Sequence, residues 1–168
     1  MENMENSIDI AKNFNDHNVK PAGTPAPDFT LTDQNGEDVS LAHLLNRGMA
    51  LLYFFSRDGA PGVSEELATL NEYRERFEDL GITPVGISED GIETHKRYAQ
   101  KNNISLTLLA DPENEASEAY GTRFESGINA RVSFVVSRDH EVVRVYADQR
   151  SRSHVKEVYR NVKETLAE

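Results

Sequence analysis

A chain of 168 residues with 38% hydrophobic content is long enough to bury a sizeable core and is most simply one domain. Its net charge of −11, from 29 acidic against 18 basic residues, works against nonspecific binding to nucleic acid or to an anionic membrane. It contains no cysteine, which excludes disulfides, thiolate metal sites and thiol catalysis together.

No apolar run nears the roughly 18–20 residues that a membrane span needs. The longest, Met49 to Phe55, is strand-sized. The first six residues, Met1-Glu2-Asn3-Met4-Glu5-Asn6, are acidic and polar, the opposite of a secretory signal. A cytoplasmic location is the default expectation.

Residues 1–21 read as an N-terminal extension, with residues 22–168 forming the domain. After Ser7, the residues Ile8, Ala11 and Phe14 would line one face of a short helix. A Pro-rich connector, Pro21 to Pro27, follows. Phe29 and Leu31 alternate with threonines, and Asp33-Gln34-Asn35-Gly36 is a hairpin turn signal. Ser40 caps a short helix carrying Leu41, Leu44 and Leu45. Ala50 to Phe55 is continuously apolar, as a central strand covered on both faces reads.

A helix comes next, with Leu67, Leu70, Tyr73, Phe77 and Leu80 on its stripe and Gly81 as its stop. Pro84 to Ser88 is a second buried strand. A helix over Ile92 to Asn102 carries Ile92, His95 or Lys96, and Ala99 on related faces. Leu106 to Leu109 is a third apolar strand, and Asp111-Pro112 opens a short helix ended by Gly121. Val132 to Val136 and Val142 to Tyr146 form a hairpin across Arg138-Asp139-His140. Ser151 or Ser153 caps a last helix whose stripe is Val155, Val158 or Tyr159, Val162 and Leu166. Strands alternating with helices predict parallel pairing in the middle, and the late hairpin predicts antiparallel pairing. Periodicity thus gives a mixed α/β sandwich with helices on both faces.

Five segments add a resemblance. They are Pro25-Ala26-Pro27-Asp28-Phe29-Thr30-Leu31; Leu52 to Phe55 with Pro61-Gly62; Gly86-Ile87-Ser88 with Thr94-His95-Lys96; Leu108 to Pro112 with Ala119-Tyr120-Gly121; and Arg131 to Val136. In this order, from about Thr24 to Leu166, they resemble the peroxiredoxin family, of the bacterioferritin-comigratory type. The resemblance implies a thioredoxin-like fold with a mixed central sheet. It also implies an active site in which a thiolate sits at the first turn of a helix, where amide groups and the helix dipole favour it. A threonine three residues earlier and an arginine would bind peroxide oxygens, and a proline would shield the sulfur.

Against that pattern this chain keeps Arg131 and the dipeptide Pro61-Gly62. Val63 stands where the peroxidatic cysteine is implied, Ala60 where the threonine is, and Ser56 where the shielding proline is. Ala68 stands where many relatives would carry a resolving cysteine. Valine has no lone pair and no redox chemistry. The losses together imply relaxed catalytic constraint.

The retained polar residues each have a structural reading. Arg131 either keeps an anion-binding role or pairs with an acid such as Glu66, because a buried guanidinium needs a partner. Ser64 has no identifiable histidine base and reads as a helix-capping hydroxyl. The five histidines, His17, His43, His95, His140 and His154, show no metal-ligand spacing. Glu89 and Asp90 read as charges favoured at a helix start. No metal or cofactor is expected.

Two function classes follow, with a third kept beside them. The first is a peroxiredoxin-like protein without peroxidase activity that acts by binding a second protein or its own copy. The second is an enzyme with residual or altered non-thiol chemistry on an oxyanion or small acid at Pro61, Ser64 and Arg131. The third is an interaction module that docks through residues 1–21.

Overall fold

The computed structural model describes residues 19–123, 129–147 and 153–166. The expected short helix after Ser7 and the alternative cap Ser151 lie outside those residues.

The chain opens with strands β1 (Thr30–Asp33) and β2 (Asp38–Ser40), paired antiparallel across the expected turn. Helix α1 (Leu41–Leu45) starts where the Ser40 side chain accepts from the His43 amide. Strand β3 (Met49–Phe54), helix α2 (Val63–Asp79), strand β4 (Ile82–Ser88), helix α3 (Ile92–Asn102) and strand β5 (Thr107–Ala110) follow. Helix α4 (Glu115–Tyr120), strands β6 (Val132–Val136) and β7 (Val142–Tyr146), and helix α5 (His154–Thr165) complete the fold.

The seven strands form one sheet in the order β2-β1-β5-β4-β3-β6-β7. The three strands joined by helices, β3, β4 and β5, pair parallel. Strand β6 runs antiparallel to β3, and β7 antiparallel to β6. The parallel part is central, as continuous apolar strands require, because both of their faces must be covered.

Strand β3 shows how. Ala50, Leu52 and Phe54 join a core with α1 residues Leu41, Leu44 and Leu45 and α4 residues Ala116 and Tyr120. Leu51, Tyr53 and Phe55 join a second core with α2 residues Leu67, Leu70 and Phe77, α3 residue Ala99, and α5 residues Val155, Val158 and Val162. Successive residues of a strand point to opposite faces, so the sheet is sandwiched between two helical layers. Ahead of β1, Val19 is buried in the first core and the Lys20 amide donates to the Tyr120 carbonyl.

The starts of α4 and α5 differ from the sequence reading. Helix α4 begins at Glu115, three residues after Pro112, because Asp111 caps it from a distance: its carboxylate accepts from the amides of Glu115, Ala116 and Ser117. At α5, Ser153 holds the cap position, yet its hydroxyl donates to Glu157 Oε2 and makes no cap bond to the helix backbone. The helix is capped by another element.

Candidate functional site

The loop between β3 and α2 brings Ser56, Ala60, Pro61 and Val63 to one end of the parallel strands. Gly62 sits at φ +82° and is the N-cap of α2. That left-handed conformation suits glycine, and a side chain would be strained there. Val63 is the first helical residue; its amide donates to the Ala60 carbonyl at 2.9 Å. Val63 and Ala60 are each 7% exposed and pack in the second core. Pro61 and Gly62 are exposed, and Ser56 is half-buried.

Ser64 is not the cap. It is the second residue of the helix and exposed, and the cap position belongs to Gly62, which has no side chain to offer. Ala68 is also exposed.

Glu66, one turn in, is 2% exposed. Its Oε2 lies 3.6 Å from Arg131 Nη1, the partner expected for that guanidinium. The same carboxylate accepts from the His154 amide at 3.1 Å and the Val155 amide at 3.0 Å. Glu66 is therefore the cap of α5, supplied from α2. Burial pushes the Glu66 carboxyl above its usual range, against the pull of the two amides and of Arg131. A negative charge at a helix N-terminus is stabilised by the dipole and the unpaired amides.

Two further groups complete this corner. His154 Nε2 and Ser133 Oγ share a 2.7 Å hydrogen bond, and both residues are buried. Burial, with Arg131 adding to it, lowers the His154 pKa from 6.5 to about 3. This histidine is neutral at ordinary pH. The Tyr53 hydroxyl is buried beside Arg131, and burial raises its pKa against the pull of that guanidinium.

On the other side of the loop a second polar cluster forms. Asp58 Oδ2 lies 2.7 Å from His95 Nδ1. Ser88 Oγ donates to Asp90 Oδ2 at 2.9 Å and lies 3.4 Å from His95 Nε2. Asp90 Oδ2 also accepts from the Asp58 amide at 2.6 Å. Asp90 thus ties the loop to the end of β4, whereas the sequence suggested a charge serving the start of α3. The choice between His95 and Lys96 for the buried face of α3 resolves to His95, which is 0% exposed, while Lys96 is in solvent.

The sequence singled out Val63, Ala60, Ser56, Arg131 and Glu66, and it did not single out His154, Ser133, Asp58 and His95 as bonded groups. No local spacing announces those pairs, because Asp58 and His95 are 37 residues apart and Ser133 and His154 are 21 apart. The one signal available was the apolar setting of both histidines: His95 shares a face with Ala99, and His154 precedes the Val155 stripe.

Chemically, the first corner is a set of paired charges. Arg131 faces Glu66, and no sulfur stands at the helix start.

Comparison with known proteins agrees with the geometry. Residues 22–145 match the AhpC/TSA family. A putative peroxiredoxin Bcp of Coxiella burnetii is 31% identical over 144 residues, covering 81% of this chain and 94% of the relative. The peroxiredoxin Bcp of Escherichia coli is 30% identical over 145 residues, covering 82% and 92%. Among solved structures, the Xanthomonas campestris bacterioferritin comigratory protein superimposes with a TM-score of 0.80 at 21% identity, over 88% of this chain and 99% of that one. Peroxidoxin BcpB of Mycobacterium tuberculosis gives 0.78 at 23% identity, over 86% and 97%. At such identities the structural likeness speaks to the thioredoxin-like peroxiredoxin fold alone.

Proposed function

As a member of the AhpC/TSA family and a relative of the Bcp proteins, this chain belongs to the peroxiredoxins, and we propose that it has itself left thiol peroxidase chemistry and acts by binding protein. One observation carries the first half. The helix start between β3 and α2 holds Val63, and the chain has no cysteine elsewhere to substitute. Peroxide reduction by sulfur needs a thiolate. Ala60 offers no hydroxyl to a peroxide, and Ser56 does not replace a proline shield.

The binding half is supported by what remains once the thiol is gone. The sheet, both cores and the loop are retained, so the surface of the scaffold is what it has to offer. The partner is a second copy of this chain or another protein. Among the described residues, no helix is long and apolar enough to cross a membrane. Non-thiol chemistry on a small acid at Pro61 and Arg131 is disfavoured, because Glu66 already holds a carboxylate against the guanidinium.

The test is peroxide consumption by the purified, metal-free chain with dithiothreitol or thioredoxin supplied. No turnover of hydrogen peroxide or an alkyl hydroperoxide above the buffer blank is expected. Clear turnover overturns the first half. Sedimentation of the pure chain and affinity capture with and without residues 1–21 address the second. A chain that is monomeric and captures nothing overturns it.

A further inference from the structure

Asp58, Asp90 and His95 come from three separate places: the loop after β3, the end of β4 and the first turn of α3. Their donor atoms nevertheless all lie within 4.8 Å of one another. His95 is fully buried, and the Asp58 side chain is 3% exposed. Ser88 Oγ, 2.9 Å from Asp90 Oδ2, sits at the edge of the same group.

Two carboxylates facing one imidazole leave a buried excess of acceptors. The excess is visible at a single atom. Asp58 Oδ2 meets His95, but Asp58 Oδ1 is buried with no hydrogen-bond partner from the protein. Leaving a buried carboxylate oxygen unpaired is costly. The group is short of positive charge on its inner side.

We propose that Asp58, Asp90 and His95 form a binding site for one divalent first-row transition cation, with Asp58 Oδ1 free to join the coordination. The donor set is one imidazole nitrogen and carboxylate oxygens, with no thiolate. That set suits Mn²⁺, Fe²⁺ or Zn²⁺ and is wrong for Cu⁺. The spacing fits as well. Two donors about 2.1 Å from a metal and at right angles to each other are roughly 3 Å apart, and His95 Nδ1 and Asp58 Oδ2 are 2.7 Å apart. Ser88, close to His95 Nε2, would hold the far side of the imidazole, as partners of metal-bound histidines do. A bound cation would pin the loop carrying Ser56 to Gly62 against β4 and α3.

The site is distinct from Arg131 and Glu66 and owes nothing to sulfur, so its failure leaves the proposed loss of thiol chemistry untouched. The experiment uses the full chain stripped with chelator and titrated with Zn²⁺ by calorimetry. One equivalent is expected, with affinity reduced at least about tenfold in Asp58→Asn and in His95→Gln. His43→Gln, at an exposed histidine in α1, should bind as the parent does. Equal binding by all the variants, or no binding by the parent, overturns the site. If the variants misfold, Mn²⁺ added to the parent chain decides by paramagnetic broadening of amide resonances. Loss confined to the surroundings of residues 58, 88, 90 and 95 supports the site. Diffuse broadening over the acidic surface, or none, overturns it.

Discussion

His154 shows what burial does to one titratable side chain. It stacks at a tilt against Tyr53, bonds to Ser133 and lies close enough to Arg131 to feel its charge. Burial first, and then that charge, lower its pKa from 6.5 to about 3. The unfolded chain takes up a proton below about 6.5, and the folded chain refuses it until about 3. The unfolded state therefore binds more protons across that window. The contribution of a neutral His154 is fully present above pH 6.5 and is lost as pH falls towards 3. Its ceiling is on the order of 5 kcal/mol. Glu66, Asp58 and Asp111, whose carboxyls are raised by burial, have the opposite slope, losing stability as pH rises through their folded pKa. The histidine must therefore be isolated by difference. Urea unfolding of the parent and of His154→Gln, compared from pH 7 to pH 4, should show the parent's advantage shrinking steadily. An advantage independent of pH would mean that His154 takes up its proton in the native state as readily as in the unfolded chain, and its ring carbon shifts would show the same.

Helix α2 is an element whose first turn carries Val63 where thiol chemistry would need a cysteine. Gly62 sets the left-handed entry, Val63 closes onto Ala60, and Glu65 and Glu66 place negative charge in the first turn. Val63→Cys puts a thiol where amides and dipole favour a thiolate. Its pKa is expected below the free value of about 8.5, read from thiolate absorbance or from the pH dependence of alkylation. A value at or above that of a free thiol would mean that burial and the Glu66 charge outweigh the helix. Peroxide turnover by the single variant should stay poor, and Ala60→Thr added to it should raise turnover, because only then does the loop offer a hydroxyl to the second oxygen. The elements themselves were legible. Continuous apolar β3, the stripe of α2 and the α3 boundaries came directly from periodicity, since burial repeats every two or every three to four residues. Helix N-caps were legible at α1, where Ser40 caps as read, and not at α4 or α5. Asp111 caps α4 across Pro112, and Glu66 caps α5 from 88 residues away. A cap supplied by tertiary contact leaves no local pattern beside the helix it starts.

At the scale of the whole molecule, one carboxylate links three elements. Glu66 on α2 reaches Arg131 at the entry to β6 and the first two amides of α5. The sequence pointed to the ion pair because an arginine leading into an apolar strand needs an acid, and the helix start offered one. It gave no hint of the second duty, which follows only once α5 lies against α2. That duty decides which member of the pair matters more. Arg131→Met removes a guanidinium that is 18% exposed and leaves Glu66 its two backbone donors. Glu66→Gln removes the charge that Arg131 faces and leaves one amide oxygen where a carboxylate had served two amides and a cation. Breaking a buried pair from one side costs about 3–5 kcal/mol, and a lost helix cap adds about 1 kcal/mol. Glu66→Gln is therefore expected to destabilise by about 3 kcal/mol or more, and Arg131→Met by about half of that. Denaturant unfolding of both variants and of the double variant measures the order and the coupling. If α5 docks through this carboxylate, amide exchange at His154 and Val155 should speed up far more in Glu66→Gln than in Arg131→Met. Equal exchange in the two variants, or a larger loss of stability from Arg131→Met, would show that the guanidinium and not the carboxylate holds the two helices together.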